Sequence, residues 1–368
     1  MHAGIVNDYV QSAPVHYLNS KGIIKECGEH FVNLGNKAVV SGGVKALKSV
    51  EDYLFASLDR NDIAWVRHLF RGECSKKNIS LIEREINGFE ADFLIGVGGG
   101  KALDTAKVAA EKCDVPVVTI PTIAATCAAV TALSVVYNEE GQYEMDYYLK
   151  RNPEMVLVEP RVIAEAPVEY LKSGIFDAIA KWYEGREAIK SIKKPDVFAE
   201  GAVRLAEMLN KRMETEALPA VEAVEDNQVD RFVTDVIDLN IYLTGLIQNI
   251  GQMTCRGAAA HAVHNGLTLM EASHELLHGY KVAYGIIVQL YLEDWPQSEI
   301  NEVISFFKKL GLTPSLANLG LPDDPELLQS VAKKAVKDFV MTKMPFKVTR
   351  EMLVEAMEQV EKDMTNHN

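Results

Sequence analysis

Seven residues, Ile95-Gly96-Val97-Gly98-Gly99-Gly100-Lys101, constrain the fold more than any other stretch of the chain. They run on from the apolar stretch Phe93-Leu94-Ile95-Gly96-Val97 and precede a segment of helical character from Lys101, so they read as the turn from a buried strand into a helix. Glycines there let the backbone approach a ligand, and free N–H groups at a helix start face an anion, which makes a dinucleotide pyrophosphate the natural occupant. A tight turn without a ligand is the plain alternative, although three consecutive glycines exceed what a turn requires. The string is neither G-x-G-x-x-G, since Lys101 stands where the last glycine would be, nor a Walker A loop, since Ile95 stands where that motif needs glycine.

The same alternation of β-rich and helical-period segments fills the first half of the chain. Strands are expected at residues 37–41, 65–70, 93–97 and 115–120, and residues 155–158 close this half. Helices are expected at 44–58, with Val44, Leu47, Val50 and Leu54 on one stripe, and at 75–86, with Ile79, Ile82 and Ile86 at helical spacing. Residues 133–137 and 144–149 flank the turn Asn138-Glu139-Glu140-Gly141 and read as an antiparallel hairpin added to the main sheet. From about Pro167 long amphipathic helices take over, with starts signalled by Asp324-Pro325 and by Thr349. The expectation is an α/β domain over residues 1–165 with a parallel, Rossmann-like sheet, followed by an all-helical domain over 166–368.

A net charge of −14 repels phosphate backbones at long range, and no Lys/Arg stripe follows any predicted helix. Nucleic acid and membrane are therefore not expected as partners; a small-molecule substrate is. Residues 1–8 carry neither the basic nor the apolar region of a secretory signal, and no apolar run approaches the ~20 residues of a membrane span, so a soluble cytoplasmic protein is expected. The five cysteines are odd in number and never form C-x-x-C, which argues against a disulfide framework or a thiolate zinc site. Four of them, all but Cys127, are expected to be buried small hydrophobes.

Four of the nine histidines, His261, His264, His274 and His278, fall close together. His261 and His264 lie i, i+3 on a helix expected to begin near Ala258, and His278 precedes Gly279, expected to end or bend its segment. Two imidazoles from separate elements and one carboxylate would make a three-ligand metal site with an open position for a substrate oxygen. Helix-face histidines satisfied elsewhere are the alternative, above all for His264 and His274. His274-Glu275-Leu276-Leu277-His278 also matches the H-E-x-x-H pattern of zinc peptidases. The glycine directly after it and the α/β first half stand against that reading.

Four stretches together resemble the iron-containing alcohol dehydrogenase superfamily: Gly98-Gly99-Gly100-Lys101-Ala102-Leu103-Asp104-Thr105-Ala106-Lys107, Pro121-Thr122-Ile123-Ala124, Leu133-Ser134-Val135-Val136-Tyr137, and the segment from His261 to Gly279. The resemblance runs from about residue 17 to 365 and is greatest to the glycerol dehydrogenase branch. It implies a dehydroquinate synthase-like architecture, in which an NAD(P)-binding α/β domain precedes an all-α metal-bearing domain. It further implies a metal-dependent oxidoreductase acting on CH–OH groups, and homo-oligomers are common among its members. Carried over, the metal ligands are Asp177, His261 and His278. The dinucleotide contacts are Gly98, Gly99, Gly100, Lys101, Asp104, Thr122, Thr131, Leu133 and Tyr137. Asp177 sits in an apolar helix where a lone carboxylate needs a partner, and an i, i+4 ion pair with Lys181 is the alternative to a metal.

Three departures shape the expectation further. Members with a fourth ligand have histidine where this chain has Lys181, which favours zinc over iron. Glycerol dehydrogenases carry an acidic residue for the adenosine ribose where this chain has Gly43; without it a 2′-phosphate is not repelled and Lys45 attracts it, so NADP(H) is expected to serve at least as well as NAD(H). They also carry aspartate where Thr126-Cys127-Ala128-Ala129 places Cys127. That string resembles instead the hydroxycarboxylate dehydrogenase branch, similar to enzymes that reduce 2-oxo acids with NADPH. Cys127, His264 and Lys181 are thus the candidate catalytic residues, His264 relaying a proton or orienting a ligand and Lys181 pairing with a substrate carboxylate. Glycerol oxidation with NAD is the runner-up, and a zinc peptidase the remote alternative.

Overall fold

The computed structural model describes residues 10–366 apart from 140 and 323; residues 1–8 and Glu140 of the expected turn lie outside the described residues. The chain divides into two compact units, Met1–Ala166 and Pro167–Asn368. The first carries β1 (His16–Asn19), α1 (Ile23–Phe31), β2 (Lys37–Gly42), α2 (Val44–Arg60), β3 (Ala64–Leu69), α3 (Lys76–Phe89), β4 (Phe93–Gly98), α4 (Gly100–Lys112), β5 (Val117–Pro121), β6 (Leu133–Tyr137), β7 (Tyr143–Tyr148), β8 (Met155–Val158) and α5 (Pro160–Ala164). Six strands form one parallel sheet in the order β1-β8-β5-β4-β2-β3.

Alternation along the central strands sends side chains into two separate cores. Ala38 and Val40 of β2 and Phe93, Ile95 and Val97 of β4 pack with Leu47, Val50, Leu54 and Leu58 of α2. Val39 and Leu94 point the other way, against Ile79, Ile82 and Ile86 of α3 and Ala106 of α4. This two-sided covering is what a sheet of near-continuous apolar strands demands. Val44 departs from its expected stripe: as the first residue of α2 it precedes the turns that cover the sheet and is 55% exposed.

The hairpin also departs from expectation. β6 and β7 form their own two-stranded antiparallel sheet rather than extending the main one. Its anchor is α4, where the Asp104 carboxylate accepts from the Val135 N–H at 3.1 Å and the Lys107 ammonium donates to the Thr131 and Leu133 carbonyls at 3.0 and 2.5 Å. β1 and α1 lie in a segment where no element was expected; β1 is four residues long at the sheet edge and shows too little alternation to be read. Cys27, Cys74 and Cys255 are buried as expected, Cys113 is half-buried at the end of α4, and among the described residues none of the five cysteines forms a disulfide.

The second unit is helical: α6 (Val168–Ala188), α7 (Val197–Glu225), α8 (Arg231–Asp238), α9 (Thr244–Gly251), α10 (Ala259–Leu267), α11 (His278–Leu292), α12 (Gln297–Lys309), α13 (Pro325–Ala335) and α14 (Arg350–Asn366). The expected caps are in place, with Asp324 accepting from the Glu326 N–H and Thr349 from the Met352 N–H. α11 is buried almost all round, from Val282 to Leu290, and packs against α6 and α10. Its glycines set those approaches. A Cβ at Gly279 would lie 1.8 Å from the Ser173 carbonyl oxygen, and one at Gly285 2.3 Å from that of Ala260. Gly279 therefore does not truncate a helix, as the sequence suggested; it is the second residue of α11, kept small by the α6 backbone. No helix among the described residues is long and apolar enough to cross a membrane.

Candidate metal centre and dinucleotide turn

Asp177 lies mid-way along α6 among buried Ile175, Phe176, Ala178 and Ile179. Its Oδ1 is 3.4 Å from His261 Nε2 on α10 and 3.5 Å from His278 Nε2 at the start of α11. The three ligand atoms lie within 4.8 Å of one another. That Oδ1 is fully buried and has no hydrogen-bond partner, a costly condition for a carboxylate oxygen. Two ligands at about 2.0–2.1 Å on a tetrahedral zinc stand roughly 3.3 Å apart, so the two spacings from Asp177 Oδ1 suit an oxygen and an imidazole nitrogen sharing one divalent ion.

Glu184, two turns beyond Asp177 on the same face of α6, was not anticipated. Its Oε2 is 2.6 Å from His261 Nδ1, while its Oε1 accepts from the Ala258 and His261 backbone N–H groups at 2.6 and 2.8 Å. Gln289 accepts from the Ala260 N–H at 3.0 Å. Glu184 and Gln289 thereby cap α10, whose own N-cap residue, Ala258, has no capping side chain. Since a carboxylate only accepts, His261 Nδ1 carries the proton and Nε2 is left to face Asp177. The signal was present as Asp177, Lys181 and Glu184 at i, i+4, i+7, a polar stripe inside an apolar helix.

Without a cation His261 favours its doubly protonated form. Burial disfavours the His261 imidazolium, but Glu184 and Asp177 outweigh it and raise its pKa to about 9. Burial likewise opposes the Asp177 charge, yet His278 and His261 hold its carboxyl well below the usual carboxylate range. His264, buried behind His278, is pushed well below the usual imidazole range by burial and then by His278 and Lys281. Its Nε2 is 2.9 Å from His278 Nδ1.

In the first unit, the turn after β4 is built from backbone. Gly98 adopts φ 147°, a conformation that L side chains rarely take, and its carbonyl accepts from the Thr122 N–H at 3.1 Å. A Cβ at Gly96 would lie 2.7 Å from Ala106 Cβ and one at Gly99 2.7 Å from Ile123. Gly99 is the N-cap of α4 and offers no side-chain cap, so first-turn N–H groups of α4 are left for an anion.

The family model for iron-containing alcohol dehydrogenases matches residues 14–160. A glycerol dehydrogenase of Thermotoga maritima is 36% identical over 328 residues, 88% of each chain. Hydroxycarboxylate dehydrogenase A of Escherichia coli is 36% identical over 279 residues, 75% of this chain and 76% of that one. The chain belongs to the iron-containing alcohol dehydrogenase family. The crystal structure of glycerol dehydrogenase from Schizosaccharomyces pombe matches it with a TM-score of 0.89 at 29% identity, covering 98% of this chain and 92% of that one.

Around this candidate metal centre the remaining candidate residues fall into distinct places. Lys181 is 2% exposed and donates to the Arg256 carbonyl at 3.4 Å. Among the described residues it makes no ion pair with Asp177, so the i, i+4 pair weighed from sequence is not formed. His274 and Glu275 are exposed in the short 3-10 turn Glu271–Glu275, with His274 Nε2 bonded to the Thr268 carbonyl. The H-E-x-x-H string is therefore broken across two elements, and its two histidines do not share a helix face as a peptidase requires.

The dinucleotide candidates divide similarly. Gly98, Gly99 and Gly100 form the turn, with Thr122 buried beside it. Lys101 is exposed and paired with Glu73 at 2.5 Å. Asp104 is buried against the Lys107 ammonium at 3.0 Å. Together with Thr131 and Leu133 it ties the hairpin to α4. Tyr137 is half-buried and its backbone N–H donates to the Cys74 carbonyl. Gly43 is the N-cap of α2, with open space where a Cβ would stand, and Lys45 is exposed one residue into the helix. Cys127 is buried, 6% exposed.

Proposed function

We propose that this dehydrogenase reduces 2-oxo acids to 2-hydroxycarboxylates with NADPH, using one divalent metal, zinc in preference to iron, held by Asp177, His261 and His278. The observation that carries the metal-dependent reading is the buried, unpartnered Asp177 oxygen facing two imidazole nitrogens. When bound, a divalent metal polarises the substrate carbonyl and a nicotinamide supplies the hydride. The chain's own residues prepare that reaction. Glu184 orients His261, His264 backs His278, and Lys181, whose ammonium cannot ligate, adds a buried positive charge toward a substrate carboxylate. The glycine turn presents backbone N–H groups of α4 to a pyrophosphate.

Two positions support the finer reading. A carboxylate is absent at Gly43, where the space is open and Lys45 stands nearby, which suits a 2′-phosphate. Cys127 is an uncharged thiol where the glycerol dehydrogenase pattern has aspartate, which removes a repulsion toward an anionic substrate. Glycerol and dihydroxyacetone interconversion with NAD is the second reading, favoured by the names of relatives such as the Thermotoga maritima enzyme. Initial rates of NADPH and NADH oxidation across 2-oxo acids, dihydroxyacetone and simple aldehydes, with zinc supplied, separate the two. Turnover of 2-oxo acids with NADPH preferred supports the proposal; dihydroxyacetone turned over faster with NADH overturns it.

A further inference from the structure

Behind His278 runs a line of hydrogen bonds with a direction. His278 Nδ1 is 2.9 Å from His264 Nε2, His264 Nδ1 is 2.9 Å from Asn265 Oδ1, and Asn265 Nδ2 donates to Asp338 Oδ2 at 2.8 Å. Asp338 follows α13, and its other oxygen accepts from the Val340 N–H at 3.1 Å, which holds the carboxylate in place. Each group in the line except the last can give or take a hydrogen bond, so the line has two possible polarities. Its far end decides between them.

We propose that Asp338 is a positioning residue that, through Asn265 and His264, selects which ring nitrogen of His278 faces Asp177 bare. A carboxylate accepts and does not donate, so Asn265 must turn its NH2 toward Asp338 and its carbonyl oxygen toward His264. His264 Nδ1 then carries the hydrogen and its Nε2 accepts. His278 must donate from Nδ1, which leaves Nε2 with a free lone pair 3.5 Å from Asp177 Oδ1. The reverse polarity puts a hydrogen on His278 Nε2, where a metal cannot bind it. Glu184 does for His261 in one step what Asp338 does for His278 in three, and both imidazoles end with Nδ1–H behind and Nε2 in front. The inference rests on reading Asp177, His261 and His278 as a metal centre.

The test uses zinc binding to the metal-stripped full chain, measured by chelator competition, alongside thermal melting of the same metal-free proteins. In Asp338→Asn the isosteric amide donates as well as accepts, so Asn265 is free to flip and the line loses its polarity. Zinc affinity is expected to fall by about tenfold or more, within the range typical of groups behind metal-bound histidines, with the melting temperature little changed. The exchange Asn265→Asp with Asp338→Asn puts the acceptor-only group next to His264 and restores the original polarity, so affinity is expected to return to near the parent value. Zinc bound by Asp338→Asn as tightly as by the parent overturns the proposal. So does an exchanged variant as weak as the single one, because charge at position 338 rather than polarity would then matter. Failure of the parent chain itself to take up zinc is a different result: it overturns the metal reading, and this inference with it.

Discussion

The two sites are made of different material. The turn at Gly98–Gly100 is almost all backbone, and its key property, a φ of 147° at Gly98 leading into the uncapped start of α4, belongs to a few consecutive residues. The centre in the helical unit is all side chain, assembled from α6, α10 and α11, with Asp177 and His278 a hundred residues apart. A backbone site can be read from a contiguous string because glycine has one structural meaning there. A side-chain site depends on which faces of which helices meet, and a string of histidines leaves that open.

Sharp tests of this contrast come from removing one piece of each. Asp177→Ala takes away the oxygen shared by both imidazole contacts and is expected to abolish zinc binding and lower kcat/KM by about a thousandfold or more, with dinucleotide affinity unchanged. Loss of dinucleotide affinity in that variant, read by cofactor fluorescence titration, would break the separation. Gly98→Ala is the reciprocal change. Forcing a side chain onto that φ costs about 1–3 kcal/mol, and is expected to lower the melting temperature and weaken dinucleotide binding at least about tenfold while zinc stoichiometry stays at one.

Smaller effects sharpen the picture inside each site. In Glu184→Gln the amide NH2 meets His261 Nδ1 and favours the wrong tautomer, so zinc affinity is expected to drop by about 10–100-fold, measured by chelator competition. Gly43→Asp places a carboxylate in the open space at the start of α2; the NADPH to NADH preference is expected to shift toward NADH by about tenfold. If both cofactors respond equally, Gly43 does not face the ribose.

A pH experiment gives the smallest readout. In the metal-free protein His261 has its pKa raised to about 9. The stability from that proton is complete below about pH 6.5 and lost as pH rises through about 9. Zinc must displace the proton, so apparent affinity rises across the same window, and close to one proton is released per ion at pH 7.5. Calorimetry in two buffers of different ionisation heat counts it.

Much of the fold was legible because both periodicities were written in the chain. Val39 and Leu94 against Val40 and Ile95 spell a strand covered on two sides, and Ile79, Ile82 and Ile86 spell the helix that covers one of them. The misreadings share a cause. Gly279 reads as a stop because glycine often ends helices, yet here it admits the Ser173 carbonyl of a distant helix. The hairpin reads as part of the main sheet because its pattern is that of any strand pair, whereas Asp104 and Lys107 hold it on α4.

Local chemistry therefore settled the strand-to-helix turn, the alternation of α and β, and the supply of histidines and a buried carboxylate, since φ preference and side-chain periodicity act over a few residues. Packing settled the rest. Gly279 against Ser173 and Gly285 against Ala260 bring α6, α10 and α11 close enough for Asp177, His261 and His278 to converge. The same approach leaves His274 outside and places Glu184 and Asp338 behind the ligands. The distance between two helices is set by the side chains they lack where they touch, and no local pattern records that.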